Sequence, residues 1–258
     1  MRNILKMNFF RMRRTKTTYI LAVIGLAFSL MFLGINILTD AVMTDLMGEV
    51  VVAENNVLES VMLQFTIAIV PMLALMYIML FLNSEVSSGY AKNIVGYEGN
   101  KYALAGANFI TAALYGTVIF LAATAVGVGF AALALKTPVF SDWGKFISYI
   151  AVSLIEMYAF IGLFIAFADM KGKYVLLMII GAVCFMYAML LYELVDLAFS
   201  YFFDIQFSLE NYTLLGCMTM FRLTNKYSDF IISGAIALAV LILAYFLDVL
   251  ALKRRELR

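Results

Sequence analysis

Few side chains in this sequence could do chemistry, and the clearest candidate is a carboxyl group inside an apolar run. Glu156 lies near the middle of residues 146–167, which hold no other charged residue. A charge at such a depth in a bilayer costs several kcal/mol, so Glu156 must be protonated, paired or directed into a polar cavity. Two interpretations stay open: a residue of a substrate path or gate, and a structural carboxyl hydrogen-bonded to a tyrosine or serine of a neighbouring helix.

Most other reactive constellations are missing. The chain has no histidine, which removes Ser-His and Cys-His nucleophile pairs and histidine metal sites. No GxxxxGK[ST] motif occurs, so the chain has no P-loop for ATP phosphates. Cys184, Cys217 and the pair Ser233-Gly234 are interpreted as packing residues. These absences disfavour an intramembrane enzyme, and no catalytic residue, metal or nucleic-acid partner is expected.

Six long apolar stretches are the elements that must position Glu156. Each has about the 20 residues that a helix needs to cross the ~30 Å hydrocarbon core of a bilayer. The composition, 65% hydrophobic and 14% charged, agrees with a membrane protein. The sequence therefore predicts an all-α membrane protein with one transmembrane domain over residues 1–258. Its six spans are predicted at residues 17–37, 61–82, 102–135, 146–167, 174–191 and 230–250.

The distribution of basic residues predicts the orientation of these spans. Cytoplasmic loops are enriched in Lys and Arg, and both chain ends are strongly basic. With both termini in the cytoplasm, 14 of the 18 Lys and Arg residues lie inside and 4 outside. The first apolar run is too long for a cleaved signal peptide. We therefore expect a multi-pass protein of the cell membrane.

Two segments do not fit a simple span. Residues 102–135 are 34 uncharged residues, about 50 Å of helix, which predicts a tilted or kinked span. Residues 192–229 contain two apolar pieces, 197–203 and 214–221, that are too short to cross and are interrupted by acidic residues. We expect these pieces to form short re-entrant or interfacial helices at the outer face, because other parts of the protein must cover their backbone.

The first 16 residues predict an amphipathic helix. Met1, Ile4, Leu5, Phe9 and Met12 are expected on one face, with the cations Arg2, Lys6 and Arg13 largely opposite. Such a helix can lie in the cytoplasmic membrane interface with its cations near anionic headgroups. The alternative is a plain positive-inside topology signal.

The longest predicted cytoplasmic loop between spans is residues 83–101. Ser87 or Ser88 could cap a short helix there, and Gly96 or Gly99 could end it. Helical spacing would put four side chains on one face, namely Tyr90, Asn93, Ile94 and Tyr97. Because aromatic residues favour interface cores, this face suggests a docking site for another protein. The alternative is a solvated connector.

This order of elements resembles the permease subunit of ABC-2 type transporters, especially the small six-span subunits of bacterial peptide-antibiotic export and immunity systems. The resemblance rests on Glu85-Val-Ser-Ser-Gly89, on the following residues to Asn93, on Lys101 before the third span, and on the short helices before the last span. It covers nearly the whole chain, and topology and length carry most of it. It implies that residues 1–16 form an elbow helix on the inner membrane surface. It implies a coupling helix that fits an ATPase subunit, formed by Glu85, Gly89, Tyr90, Lys92, Asn93, Ile94 and Tyr97.

The resemblance also implies partners. A separate ABC ATPase subunit would bind ATP and Mg²⁺, and a second permease subunit, identical or homologous, would complete the translocation path. The expected substrate is hydrophobic or amphipathic, such as an antimicrobial peptide, and the expected location is the bacterial plasma membrane. The alternative function is a stand-alone secondary transporter or channel-like protein that uses Glu156 as its ion-coupled residue.

Overall fold

The structure is a computed structural model that describes residues 2–47, 56–89, 101–135, 143–203, 212–220 and 226–254. Within these ranges the regular secondary structure is helical and no strand occurs, which confirms the all-α prediction for this part of the chain. In chain order the helices are α1 (Arg2–Arg14), α2 (Lys16–Met47), α3 (Asn56–Ser87), α4 (Lys101–Leu135), α5 (Trp143–Lys171), α6 (Tyr174–Phe203), α7 (Leu214–Met220) and α8 (Tyr227–Arg254).

Several of these helices are long and apolar enough to cross a membrane. Among the described residues there are four such stretches, in α3, α4, α5 and α8. A fifth is α6 if its two parts, Tyr174–Phe185 and Leu190–Phe202, which are bent by 57°, form one span. Helix α2 adds a shorter apolar piece, Lys16–Phe28. The multi-pass character is therefore supported, while the count of six spans stays a prediction.

The helices extend beyond the predicted spans. Helix α3 continues to Ser87, so the predicted loop at 83–101 begins inside a helix. Helix α6 continues to Phe203, so the apolar piece 197–203 is the end of that helix and not a separate short helix. The second piece does form a short helix, α7. Apolar windows mark only the part of a helix that suits hydrocarbon, whereas backbone hydrogen bonds carry the helix on past it.

The core of the bundle is built around α3. In the candidate span Val70–Ser87 of α3, 61% is buried, a larger share than in the candidate spans of α4, α5 and α8. Tyr77 of α3 stacks on Tyr115 of α4 with ring centres 3.6 Å apart. The Thr18 hydroxyl of α2 and the Tyr77 hydroxyl are hydrogen-bonded at 3.2 Å, and the Tyr115 hydroxyl donates to the Thr18 carbonyl at 3.2 Å. These contacts fix α2, α3 and α4 against one another.

The most extensive helix contact joins α5 and α8. The two helices run parallel: Val152 lies near Gly234, and ten residues further along each helix Gly162 lies near Ala244. Small residues let helix backbones approach closely in lipid, where no hydrophobic force holds helices together. The outward faces of α2, α6 and α8 are apolar, as a lipid-facing surface requires; they include Tyr19, Val23, Leu194, Leu197, Ile231, Ile242 and Phe246.

Gly162 of α5 is a position at which this close helix packing can be tested. A Cβ atom there would lie 2.8 Å from Phe109 Cε1 of α4 and 3.5 Å from Ala244 Cβ of α8. We expect Gly162→Leu to lower the free energy of unfolding by about 2 kcal/mol, because the added side chain overfills a packed interface. Unfolding of the purified protein in detergent measures this. Gly129→Leu is the control, since nothing lies within 4 Å of a Cβ at Gly129. Equal loss in both variants would contradict the packing role.

Candidate functional site at the α1 end of the bundle

One end of the bundle collects α1, the start of α4 and the ends of α3, α5 and α8; it is called the α1 end below. Ile4 of α1 packs on Leu104 and Ala107 of α4. Lys253 near the end of α8 donates to the Tyr102 hydroxyl at the start of α4. This is the end that the distribution of basic residues predicts to face the cytoplasm.

A short break separates α1 from α2. Thr15 stands between the helices, its hydroxyl donates to the Arg11 carbonyl at 2.7 Å, and its own carbonyl accepts from the Thr18 amide at 3.1 Å. The Thr18 hydroxyl donates to the Met12 carbonyl at 2.7 Å. Threonine at a helix boundary satisfies the end groups that a helix leaves unpaired. The sequence prediction of a separate N-terminal helix therefore agrees with the structure.

The faces of α1 differ from those expected. The buried residues of α1 are Ile4 and Asn8, and the Asn8 amide donates to the Thr111 hydroxyl of α4 at 3.2 Å. Phe9 was expected opposite the cations, yet it lies exposed beside them, because the spacing 2, 6, 9 and 13 follows one helical face. An exposed groove of about 740 Å³ lies along α1. It is lined by Arg2, Leu5, Lys6, Phe9, Phe10 and Arg13.

Arg11 fastens α1 to the last turn of α3. Its guanidinium forms an ion pair with Glu85, donates to the Ser84 hydroxyl at 3.1 Å, and lies 4.5 Å from the centre of the Phe81 ring. The Glu85 side chain is only 2% exposed, whereas that of Arg11 is 23% exposed. A buried carboxylate is tolerable when a guanidinium and hydrogen bonds satisfy it. We call this set of contacts the Arg11 clamp.

The clamp changes what Glu85 could do as a docking residue. Glu85 offers almost no surface to a partner, so its contribution is to hold α1 and α3 together. Gly89 ends the described part of this segment with a φ of 70°, a left-handed conformation that glycine adopts readily. The Ser88 hydroxyl donates back to the Ser84 carbonyl at 2.7 Å, so it satisfies a carbonyl group in the last turn of α3. Outside the described residues lie Tyr90, Lys92, Asn93, Ile94 and Tyr97.

A second polar contact at the α1 end was not predicted from the sequence. The Tyr174 hydroxyl at the start of α6 donates to Asp169 near the end of α5. Asp169 in turn interacts with Asp248 of α8 and with Glu85 of α3. Both aspartates are buried. One sequence feature could have indicated this contact: Asp248 is an acidic residue inside the predicted last span and therefore needs a polar neighbour.

Glu156 lies apart from this end, near the middle of α5. Its side chain is fully buried, and Ser233 of α8 donates a hydrogen bond to it. This is the contact that the structural interpretation of Glu156 expected. The chemistry remaining in the described residues is limited: no group of three or more His, Cys, Asp or Glu side chains could hold a metal ion there. Burial raises the pKa of the Cys217 thiol, which works against a nucleophilic role.

Comparison of the sequence with models of known protein families and with curated proteins gave no match.

Removing Arg11 tests the clamp. We expect Arg11→Gln to lower the free energy of unfolding by about 2 kcal/mol, because it leaves the Glu85 carboxylate buried without its cation; partial exposure of Arg11 keeps the cost below that of a fully buried pair. The double variant Arg11→Met/Glu85→Leu should recover most of this loss, since it removes both charges. Chemical unfolding of the wild type, Arg11→Met, Glu85→Leu and the double variant measures the coupling, while Arg11→Gln tests loss of the cation alone. Arg13→Gln, on the exposed face of α1, is the control and should change stability by less than about 0.5 kcal/mol. Additive effects of the two single substitutions would show that the clamp contributes no coupling.

Proposed function

We propose that this chain is the membrane subunit of an ATP-driven transporter of the ABC-2 permease type. The observation that supports this most is the Arg11 clamp. It joins the N-terminal helix to the last turn of α3, a few residues before the segment 90–97, which the sequence predicts to be a docking site. A transporter driven by a separate ATPase needs such a mechanical link between its docking element and its spans.

The packing of α3 gives this link a path into the membrane. A displacement of residues 90–97 reaches the end of α3 first, because Gly89 directly follows its last turn. Helix α3 contacts α2, α4, α5, α6 and α7. Its contact with α4 includes the close stack of Tyr77 on Tyr115. Packed helices transmit such a displacement as rigid elements.

The proposed partners follow from what the chain lacks and what it exposes. Since the chain has no P-loop, ATP and Mg²⁺ would bind on an ABC ATPase subunit. A second permease subunit would complete the path, with the apolar outer faces of the bundle available for it and for lipid. The exposed Arg2, Lys6, Phe9 and Arg13 suit an elbow helix at an anionic membrane surface. The substrate proposed is a hydrophobic or amphipathic molecule such as a peptide.

Affinity purification of the full chain in mild detergent tests the proposal. We expect an ATPase with a P-loop to co-purify, and transport in membrane vesicles to stop when ATP is depleted. Transport that survives ATP depletion and instead follows an imposed proton gradient would reject the proposal and support a stand-alone secondary transporter.

The docking assignment has its own test. We expect Tyr90→Asp or Ile94→Asp to reduce co-purification of the ATPase by at least about tenfold, because a buried unpaired charge in an interface costs several kcal/mol. Substrate-stimulated ATP hydrolysis should fall in parallel. Tyr19→Asn serves as a control for loss of an exposed tyrosine elsewhere on the surface. Unchanged co-purification and transport in both Asp variants would remove residues 90–97 from the docking site.

A further inference from the structure

Five polar side chains from three helices meet inside the bundle around Glu156; we call them the Glu156 cluster. Tyr149, Ser153 and Glu156 lie on one face of α5, at helical spacings of four and three residues. Cys217 of α7 and Ser233 of α8 complete the cluster, and each interacts with Glu156. Such a collection is unusual between apolar helices, where most contacts are made by aliphatic and aromatic side chains.

The hydrogen bonding of the cluster is incomplete. Ser233 donates to one oxygen of the Glu156 carboxyl group, while the other oxygen makes no hydrogen bond. The buried Ser153 hydroxyl interacts with Tyr149, one turn away on the same helix face, outside normal hydrogen-bond geometry. Buried polar atoms are paired in the large majority of cases, and an unpaired one costs about 1–3 kcal/mol. The unpaired Glu156 oxygen, with the Ser153 hydroxyl nearby on the same helix face, therefore indicates a missing ligand.

The charge of the cluster is also uncompensated. The groups that interact with Glu156 are Ser233, Tyr149 and Cys217, and all three are neutral. The Arg11 clamp shows how the same chain satisfies a buried carboxylate when it supplies its own cation. Neutral hydroxyl donors do not offset the removal of a full charge from water, so a lone carboxylate at this position requires a positive charge from outside the chain.

We propose that the Glu156 cluster binds one small monovalent cation, Na⁺ or a proton. The free Glu156 oxygen and the Ser153 hydroxyl would contact the cation directly, and Ser233 would orient the carboxyl group. Hard cations take oxygen ligands of this kind, and a divalent ion would require more carboxylates than the single one in the cluster. Binding of either cation leaves the cluster neutral and transfers no electrons.

Occupancy of the site would link three elements. Glu156 is on α5, Ser233 is on α8, and Cys217 belongs to the seven-residue helix α7. A short helix beside a buried ion site is a recurring feature of ion-coupled membrane proteins, since its backbone must be covered by protein. The bound cation would hold α7 against α5 and α8, and its release would leave an unpaired buried carboxylate at their junction. The site does not require an ATPase partner, so it can fail or succeed independently of the proposed function.

The test uses the purified full chain in nanodiscs of phosphatidylethanolamine and phosphatidylglycerol. Thermal unfolding is followed in NaCl, KCl and N-methylglucamine chloride at equal ionic strength, and the infrared band of protonated carboxyl groups is recorded at neutral pH. If Na⁺ is the ligand, the unfolding midpoint rises saturably with Na⁺ alone. If the ligand is a proton, Na⁺ has no specific effect and the carboxylic acid band is present. Either signal should vanish in Glu156→Gln, which keeps the shape of the side chain and removes its charge.

The controls keep each outcome decisive. Glu193→Gln, an exposed acidic residue of α6, should retain whichever signal the wild-type protein gives. If Glu156→Gln does not fold, Ser233→Ala replaces it and should weaken Na⁺ binding about tenfold, or shift the carboxylic acid band, through loss of one hydrogen bond to the carboxyl group. A wild-type protein without a specific Na⁺ response and without a band that depends on Glu156 overturns the proposal. Wild-type behaviour of Ser233→Ala, where that variant is needed, overturns it too.

Discussion

A carboxyl group that leaves water for the interior of an apolar helix bundle must find its compensation within the protein or bind it from outside. In lipid neither solvent nor a flexible loop can supply the missing partner, so the constraint acts on each buried acid separately. Four buried acidic residues among the described residues meet it in different ways; they are Glu85, Glu156, Asp169 and Asp248. Glu85 has a guanidinium, Asp169 has a tyrosine hydroxyl, and Glu156 has one serine. Asp248 lies beside Asp169, another acid, so this pair can stay buried only if it shares a proton. The contacts of Glu85 and Asp169 attach α1 and α6 to the rest of the bundle.

The contact between α5 and α8 shows how polar and steric requirements combine. Glu156 and Ser233 join the helices near one end of their contact, and Asp169 and Asp248 approach each other near the other end. Between them Gly162 packs against Ala244 of α8 and the ring of Phe109 of α4, which leaves little room for a larger side chain. Polar pairs fix the rotation and register of two helices because sliding would leave them unpaired, whereas apolar contacts in lipid would allow many registers. The two helices are therefore expected to move as one body.

The sequence predicts the helices well and their partners poorly. Apolar run lengths locate each long helix in the described ranges, because a helix must satisfy its own backbone in lipid and leaves a long apolar signature. Glu156 was recognisable for the same reason, since it interrupts such a run. Glu85 looked like a loop residue, because hydropathy drops before α3 ends. Its burial depends on Arg11, which is 74 positions away in the chain. No local pattern encodes a contact of that separation, and the proximity of Asp169 to Asp248 was missed for the same reason.

The position of Glu85 makes the Arg11 clamp more than an attachment for α1. Glu85 also interacts with Asp169, so a carboxylate of α3 lies between a cation of α1 and an acid of α5. While Arg11 stays in place, its attraction outweighs the repulsion between the two acids, because it contacts Glu85 directly. Withdrawal of α1 would remove the cation that stabilises the buried carboxylate, and Glu85 would then have to take up a proton or another partner. The contact between Arg11 and Glu85 therefore makes the position of α1 depend on the end of α3, next to the segment predicted to dock.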